Sequence, residues 1–130
     1  MLSVKKIIQV EITKIGEFIT VEHNIDNMET VNKIECIIVD KSNYSWIVNE
    51  NIFVNNNIVG INVEREDFLG ATAYITIFYY DKNFVDIWNE AYNIYIEQGK
   101  NEMQKYLEKE NISKGDALVM IEDIIQTANL

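Results

Sequence analysis

The residues that could carry out chemistry are few in this chain. It contains one histidine (His23), one cysteine (Cys36) and one arginine (Arg65) among its 130 residues. His23 lies in the segment Glu22–Asp26, which could bind a metal ion or act as a general base oriented by Asp26. The spacing matches no established zinc pattern, and the sequence has no second histidine. We therefore interpret the segment as an ordinary turn.

The sequence also lacks the usual arrangements for nucleophilic or phosphate chemistry. All of its serines would depend on His23 as the base, and none stands between a predicted strand and a helix. Cys36 is followed by isoleucine and valine, which favours a buried, unreactive thiol. The five glycines are never closer than ten residues apart, so they form no phosphate-binding loop. We predict a non-enzymatic protein with no catalytic residue, no metal site and no cofactor.

Acidity is the most informative property of the composition. The chain has 21 acidic and 11 basic side chains, which give a net charge of −10 at pH 7. The lysines form no stripe and the overall field repels a phosphate backbone, so we exclude direct binding to nucleic acid. One explanation of the acidity is that charge keeps the protein soluble and apart from its neighbours. The other is that the protein binds a basic partner.

The second explanation leads to a surface of carboxylates that imitates a phosphate backbone. Small acidic α+β proteins of mobile elements often occlude the nucleic-acid channel of a defence nuclease or restriction enzyme, and immunity proteins meet basic toxins in the same way. The chain carries no family motif, so the analogy is one of class alone. We predict an inhibitor of anti-defence or immunity type that binds a basic, nucleic-acid-handling protein. The predicted partner-binding residues are Glu64, Glu66 and Asp67 in a loop, and Asp86, Glu90 and Glu97 on one helix face.

Two other classes of function stay open on the sequence. One is a homo-oligomeric structural or accessory protein of a mobile element, with its interface on residues 84–107 or on the strand 71–80. The other is a small-molecule-binding domain with a pocket between sheet and helices. The residues predicted to line that pocket, or to form an exposed aromatic surface, are Tyr74, Phe78, Trp88 and Tyr92.

Hydrophobic periodicity predicts the α+β class, with an antiparallel sheet of about five or six strands over residues 4–80. Residues 4–23 alternate on either side of a turn and are predicted to form a hairpin. Further strands are predicted at 33–40, 44–48 and 58–64, with a loop or a single helical turn at 64–70. The strand 71–80 carries small and aliphatic residues on one face. Its other face holds Tyr74, Phe78 and Tyr80, so that face needs either cover or a partner.

Two helices are predicted after the sheet, at about residues 83–109 and 114–128. Asn83 is the expected N-cap of the first helix, and Gly99 is expected either to kink it or to break it in two. Ser113 is the expected N-cap of the last helix, with Asp116 in its first turn. The apolar seam of that helix is predicted to consist of Ala117, Leu118, Ile121, Ile124, Ile125 and Ala128.

Length and composition favour a single domain that spans residues 1–130. The first residues lack the apolar core of a signal peptide, and no apolar run reaches the ~18 residues that cross a bilayer. A single cysteine fits a reducing compartment. We expect a cytoplasmic protein that does not associate with membranes.

Overall fold

The computed structural model of the protein describes residues 3–130. Residues 4–79 form one compact unit, here called the strand unit. Residues 80–130 belong to a second compact unit, here called the helical unit. Strands come first and helices follow them, which confirms the predicted α+β class. The single domain stays a prediction.

The strands of residues 3–130 form two sheets. They are β1 (Val4–Glu11), β2 (Phe18–Glu22), β3 (Met28–Val39), β4 (Ser45–Val48), β5 (Ile52–Val54), β6 (Ile58–Asn62) and β7 (Thr72–Asp81). One sheet has the order β1-β7-β3-β4 and the other has the order β2-β6-β5. A single 3-10 turn at Glu66–Phe68 confirms the loop or helical turn predicted there. β5 was not predicted from the sequence, because three residues between asparagine-rich turns are too few to show a period.

The predicted hairpin over residues 4–23 is wrong, because its two strands belong to different sheets. β1 pairs with β7 and β2 pairs with β6, both antiparallel. Beyond β1 the chain stays beside the start of β7 as far as Ile12, whose N–H donates to the Ala71 carbonyl at 2.9 Å. Gly16, at a φ of 79°, then donates its N–H to the Val63 carbonyl at 2.8 Å. A two-residue period predicts strands, but it does not specify which strand is the partner.

The two faces predicted for the strand at 71–80 are confirmed in β7, which lies between β1 and β3. Ala73, Ile75 and Ile77 are completely buried, whereas Tyr74 on the other face is 36% exposed and Phe78 is half-buried. The inward residues of β7 pack with those of the neighbouring strands into an isoleucine- and valine-rich core. Its buried members are Ile8, Val10, Ile12, Ile25, Cys36, Ile38, Val59, Ile61, Val63, Phe68, Ala71, Ala73, Ile75, Ile77 and Tyr79.

Asparagine takes the left-handed conformation at four turns in the described chain. Asn24, Asn43, Asn51 and Asn111 have φ values of 54°, 64°, 58° and 59°. Asparagine tolerates this region better than other residues with a side chain, because its short amide can bond to the local backbone. The turns of this protein are therefore built largely from its asparagines.

The helical unit contains α1 (Lys82–Gln98), α2 (Lys100–Lys109) and α3 (Lys114–Ala128). Gly99 has a φ of 93°, which an α-helix cannot accommodate, so the helix predicted at 83–109 is two helices. The N-cap of α1 is Asp81 and not Asn83 as predicted. The Asp81 carboxylate accepts a hydrogen bond from the Asn83 N–H at 2.8 Å. The predicted cap of α3 is confirmed, since Ser113 Oγ accepts the Asp116 N–H at 3.2 Å.

The apolar seam predicted for α3 is wrong at one position. Leu118 is 67% exposed, whereas Met120 is 1% exposed and takes its place in the core. At 100° per residue Leu118 lies about 120° around the helix from the buried Ile124, and Met120 lies only about 40° from it. The buried residues of the helical unit are Ala91, Met103, Leu107, Met120, Ile121 and Ile124.

Gly60 in β6 lies directly beneath an aromatic ring of the neighbouring strand. It pairs with Phe53 of β5, and a Cβ atom at residue 60 would lie 2.2 Å from that ring. The Phe53 ring in turn makes an edge-on contact with Phe18 at 5.3 Å. The Phe53 ring can therefore occupy this position only because residue 60 has no side chain.

We predict that Gly60→Ala lowers the free energy of unfolding by about 1–3 kcal/mol, because the ring must be displaced. In a Phe53→Ala background the same substitution should cost at least about 1 kcal/mol less, which urea unfolding of the four proteins would measure. Gly115→Ala is the matched control, because a Cβ there meets no atom within 4 Å and alanine favours the helix. Equal costs of Gly60→Ala in both backgrounds would contradict the prediction.

Candidate protein-binding surface

The only histidine of the chain has a structural role. His23 is 1% exposed, its Nδ1 accepts the Ile25 N–H at 3.0 Å, and its Nε2 lies 2.8 Å from the Asn55 carbonyl oxygen. Since a carbonyl can only accept, the proton of the neutral ring is on Nε2 and both nitrogens are occupied. His23 thus joins the turn after β2 to the turn before β6. Within residues 3–130 no cluster of three or more histidine, cysteine, aspartate or glutamate side chains could hold a metal ion.

The only cysteine is also buried. Cys36 is 2% exposed in β3, and burial raises the pKa of its thiol to about 11. A thiol with such a pKa is almost entirely protonated at neutral pH, and the thiolate is the nucleophilic form. Cys36 therefore acts as a small core residue.

The acidic residues singled out in the sequence fall into two groups. Glu64, Glu66 and Asp67 are exposed at and beside the 3-10 turn of the strand unit. Asp67 differs from the other two because it makes an ion pair with Arg65, with 2.6 Å between Nη2 and Oδ2. Glu64 and Glu66 form no ion pair with another described residue.

The second group lies on α1 in the helical unit, where Asp86, Glu90 and Glu97 are all exposed. Burial raises the pKa of Tyr106 in α2, and the negative charges of Glu110, Glu90 and Asp86 raise it further. Asp86 and Glu90, two of the three acidic residues predicted on this helix, are therefore close enough to Tyr106 for their charges to affect its pKa. This group forms a surface of its own on the helical unit.

A groove of about 370 Å³ on the strand unit contains one of the predicted acidic residues. It is lined by residues 46–51 and 62–65, together with Ile38 and Phe68. Trp46 supplies exposed apolar surface above the buried Ile38 and Phe68, whereas Glu50 and Glu64 are exposed carboxylates. We call this feature the acidic groove. It combines apolar surface with exposed charge, and protein interfaces likewise have an apolar core and a polar rim.

Trp46 of β4 is held in the acidic groove by its neighbours. The Arg65 guanidinium lies 4.4 Å from the Trp46 ring centroid and 4.6 Å from that of Phe68. The indole Nε1–H donates to Asp40 Oδ2 at 3.0 Å, and the two aromatic rings meet edge-on at 5.7 Å. Cation–π contacts and a charge-assisted hydrogen bond therefore fix this indole, which is still 38% exposed.

Large apolar side chains are exposed beside the acidic groove. Tyr44 is 69% exposed, Ile47 is 79% exposed, and Ile37, the partner of Ile47 across the β3–β4 pair, is 44% exposed. Ile47 and Ile37 are therefore neighbouring apolar side chains at the surface, and exposed apolar surface of this kind is typical of an interaction site. This site was not predicted from the sequence, although two aromatic residues at positions 44 and 46, in the strand predicted at 44–48, were a signal for it.

The four aromatic residues predicted to line one pocket lie in two different units. Tyr74 and Phe78 belong to the outer face of β7, and the ammonium of Lys33 lies 4.6 Å from the Phe78 ring centroid. Trp88 and Tyr92 stack on each other in α1 at 5.5 Å, and Trp88 Nε1–H donates to Asp123 at 2.8 Å. Only the second pair is in mutual contact.

The chain matches no protein-family model, no curated protein and no solved structure. Among residues 3–130, no helix combines the length and the apolar character needed to cross a membrane.

We predict that His23→Ala lowers the free energy of unfolding by about 2–4 kcal/mol, because it leaves two backbone groups unpaired and opens a cavity. Urea unfolding would measure the loss. Glu22→Ala, at an exposed neighbouring position, is the control and should change stability by less than about 0.5 kcal/mol. A His23→Ala protein as stable as this control would contradict the structural role.

Asp40 should titrate at an unusually low pH. The hydrogen bond from Trp46 lowers its pKa below the ordinary 3.8, and the Tyr44 and Ser42 amides and the attraction of Arg65 add to this effect, which outweighs desolvation. Because the pKa is lower in the folded state, the carboxylate stabilises the β3–β4 turn above about pH 4. That contribution is lost as the pH falls through the lowered pKa. The Trp46 indole N–H resonance would follow this titration, and Asp40→Asn should abolish it; a midpoint at or above about 3.9 would contradict the prediction.

Proposed function

We propose that this protein is a non-enzymatic binding module that attaches to a basic surface of a partner protein and keeps nucleic acid away from it. The observation that carries the proposal is the acidic groove, where Glu50 and Glu64 stand beside the exposed Trp46. Tryptophan is among the residues that carry most of the binding energy of protein interfaces. Carboxylates beside them select a basic partner and accelerate its approach.

The distribution of charge supports a basic partner. Residues 4–79 hold eleven acidic and six basic side chains, and residues 80–130 hold ten and five, so each unit carries a net charge of −5. Such a field attracts a surface that normally binds phosphate and repels nucleic acid itself. The exposed carboxylates of α1 add a second negative surface, so a partner could be engaged at either unit.

The state of the reactive side chains favours binding over catalysis. His23 is occupied by two backbone groups, Cys36 is buried, and Arg65 is bound by Asp67. General acid–base or nucleophilic catalysis would need such a group to be accessible to a substrate. Binding through exposed carboxylates and apolar side chains needs none of them.

The proposal is tested by affinity capture with the full chain from a nuclease-treated bacterial lysate at about 50 and 500 mM salt, where the screening lengths are about 14 and 4 Å. We expect one basic, nucleic-acid-binding protein to be retained at low salt and weakened at high salt. After this protein has been identified and purified, its complex with a fluorescent DNA duplex should be dissociated by the acidic protein. The proposal would be overturned if the retained partner stays bound to DNA in the presence of the acidic protein. It would also be overturned if the partner binds equally well at both salt concentrations.

Charge-reversed variants locate the binding surface. Glu50→Lys/Glu64→Lys should weaken partner binding by about tenfold or more, because attractive pairs become repulsive ones. Glu11→Lys/Glu29→Lys is the matched control, since it changes the net charge equally at exposed residues outside the acidic groove. Asp86→Lys/Glu97→Lys tests the α1 surface in the same way. Equal effects of the groove variant and its control would show that binding depends on net charge alone.

A further inference from the structure

We infer that the open edge of β4 binds an extended, basic segment of polypeptide as an additional strand. This inference rests on the proposed function and specifies the form of the partner at the acidic groove. It is carried by three observations: the backbone at the edge of β4, the different side chains on its two faces, and the hydrogen-bond acceptors in the groove.

The backbone of β4 is available for pairing along one edge. β4 is the last strand of its sheet, and it pairs only with β3 among the described strands. The Asp40 N–H donates to the Tyr44 carbonyl at 3.0 Å, which fixes the hydrogen-bonding phase of the pair. Because an antiparallel ladder alternates, Trp46 then bonds towards β3, and Ser45 and Ile47 direct their N–H and C=O groups away from it.

The edge lacks the features that usually prevent strand addition. Residues 45–48 contain no proline, lysine or arginine, and Ile47 is 79% exposed. Natural edge strands are often protected by prolines, lysines or inward-pointing charges, or by being very short, and of these β4 has only its length of four residues. An exposed edge without this protection is the surface that recognises extended peptides by main-chain hydrogen bonds.

An added strand would meet different side chains on its two faces. The side of the sheet that carries Trp46 opens into the acidic groove, and the opposite side carries Ile47 and Ile37. Successive residues of a strand point to opposite faces. A segment that fits this edge therefore alternates between basic and apolar side chains.

The acidic groove presents hydrogen-bond acceptors that lack donors. Glu50 and Glu64 form no ion pair with any described residue, and the buried Oδ1 of Asn62 has no hydrogen-bond partner within residues 3–130. The guanidinium of Arg65, which also lines the groove, is already bound by Asp67. Lysine or arginine side chains would supply the missing donors and neutralise the two carboxylates. A second copy of this chain would instead bring further carboxylates to a unit of net charge −5.

The experiment uses the full-length protein and a synthetic peptide of about nine residues in which lysine and valine alternate. A peptide of the same composition with its lysines adjacent has the same charge without the alternation. A third peptide is N-methylated at every second residue, which removes the donors on one edge. We expect the alternating peptide to bind and the other two to bind at least about tenfold more weakly.

Ile47→Pro tests the edge from the protein side. Proline removes an N–H that points away from β3, so the native ladder is retained and circular dichroism should be unchanged. The alternating peptide should lose affinity by about tenfold or more, and hydrogen exchange at the Ser45 and Ile47 amides of the wild-type protein should slow on binding. The N-methylated peptide provides the same test on the wild-type protein if Ile47→Pro disturbs folding.

Three outcomes would overturn the inference. In the first, N-methylation and Ile47→Pro leave the affinity for the peptide unchanged while Glu50→Lys/Glu64→Lys abolishes it. In that case the peptide does not bind as an added strand, and the proposal of a binding site in the acidic groove stands. If the charge reversal has no effect either, the acidic groove is not a binding site, and the proposed function fails there together with the inference. If the free protein forms a dimer that Ile47→Pro dissociates, the edge is occupied by a second copy.

Discussion

The strand unit depends on the burial of one face of β7. Ala73 and Ile75 are opposite Val10 and Ile8 of β1, so the register that buries the first pair also buries the second. A shift of one residue would expose these side chains and bury Tyr74 in their place. Because β7 takes the interior position beside β3, β4 becomes the terminal strand of the sheet. The open edge of β4 is thus a consequence of where the core places its most apolar strand.

Features that depend on neighbouring residues in the sequence could be predicted, and features that depend on pairing could not. The two faces of β7, the Ser113 cap and the break at Gly99 are local, since each follows from side-chain alternation, a capping side chain or one glycine. The partner of β1 is decided by which strands share a core, and nothing within residues 4–23 states it. The acidic groove joins residues 46–51 to 62–65 for the same reason. The sequence was sufficient to predict Glu64 as a surface residue, but it could not predict that Glu64 lies in the same groove as Trp46.

Most of the versatile polar side chains in the described chain are bound to other parts of the structure. His23 holds two turns together, Asp40 receives the Trp46 indole, Arg65 is bound to Asp67, and Trp88 is bound to Asp123. Burial and pairing of this kind stabilise the fold and remove these groups from solution chemistry. Charge and access to solvent remain together at the exposed ionisable side chains, most of which are carboxylates.

The four asparagines in the left-handed conformation affect the unfolded chain as well as the folded one. A glycine at each of these turns would fold without strain, but it would give the unfolded backbone more freedom to lose. Asparagine at these positions has a small steric cost in the folded state, but it leaves the unfolded chain less flexible than glycine would. The four residues are Asn24, Asn43, Asn51 and Asn111. Since the chain has no proline to restrict its turns, asparagine takes over part of that role. At these four turns, asparagine in place of glycine thus reduces the number of conformations open to the unfolded chain.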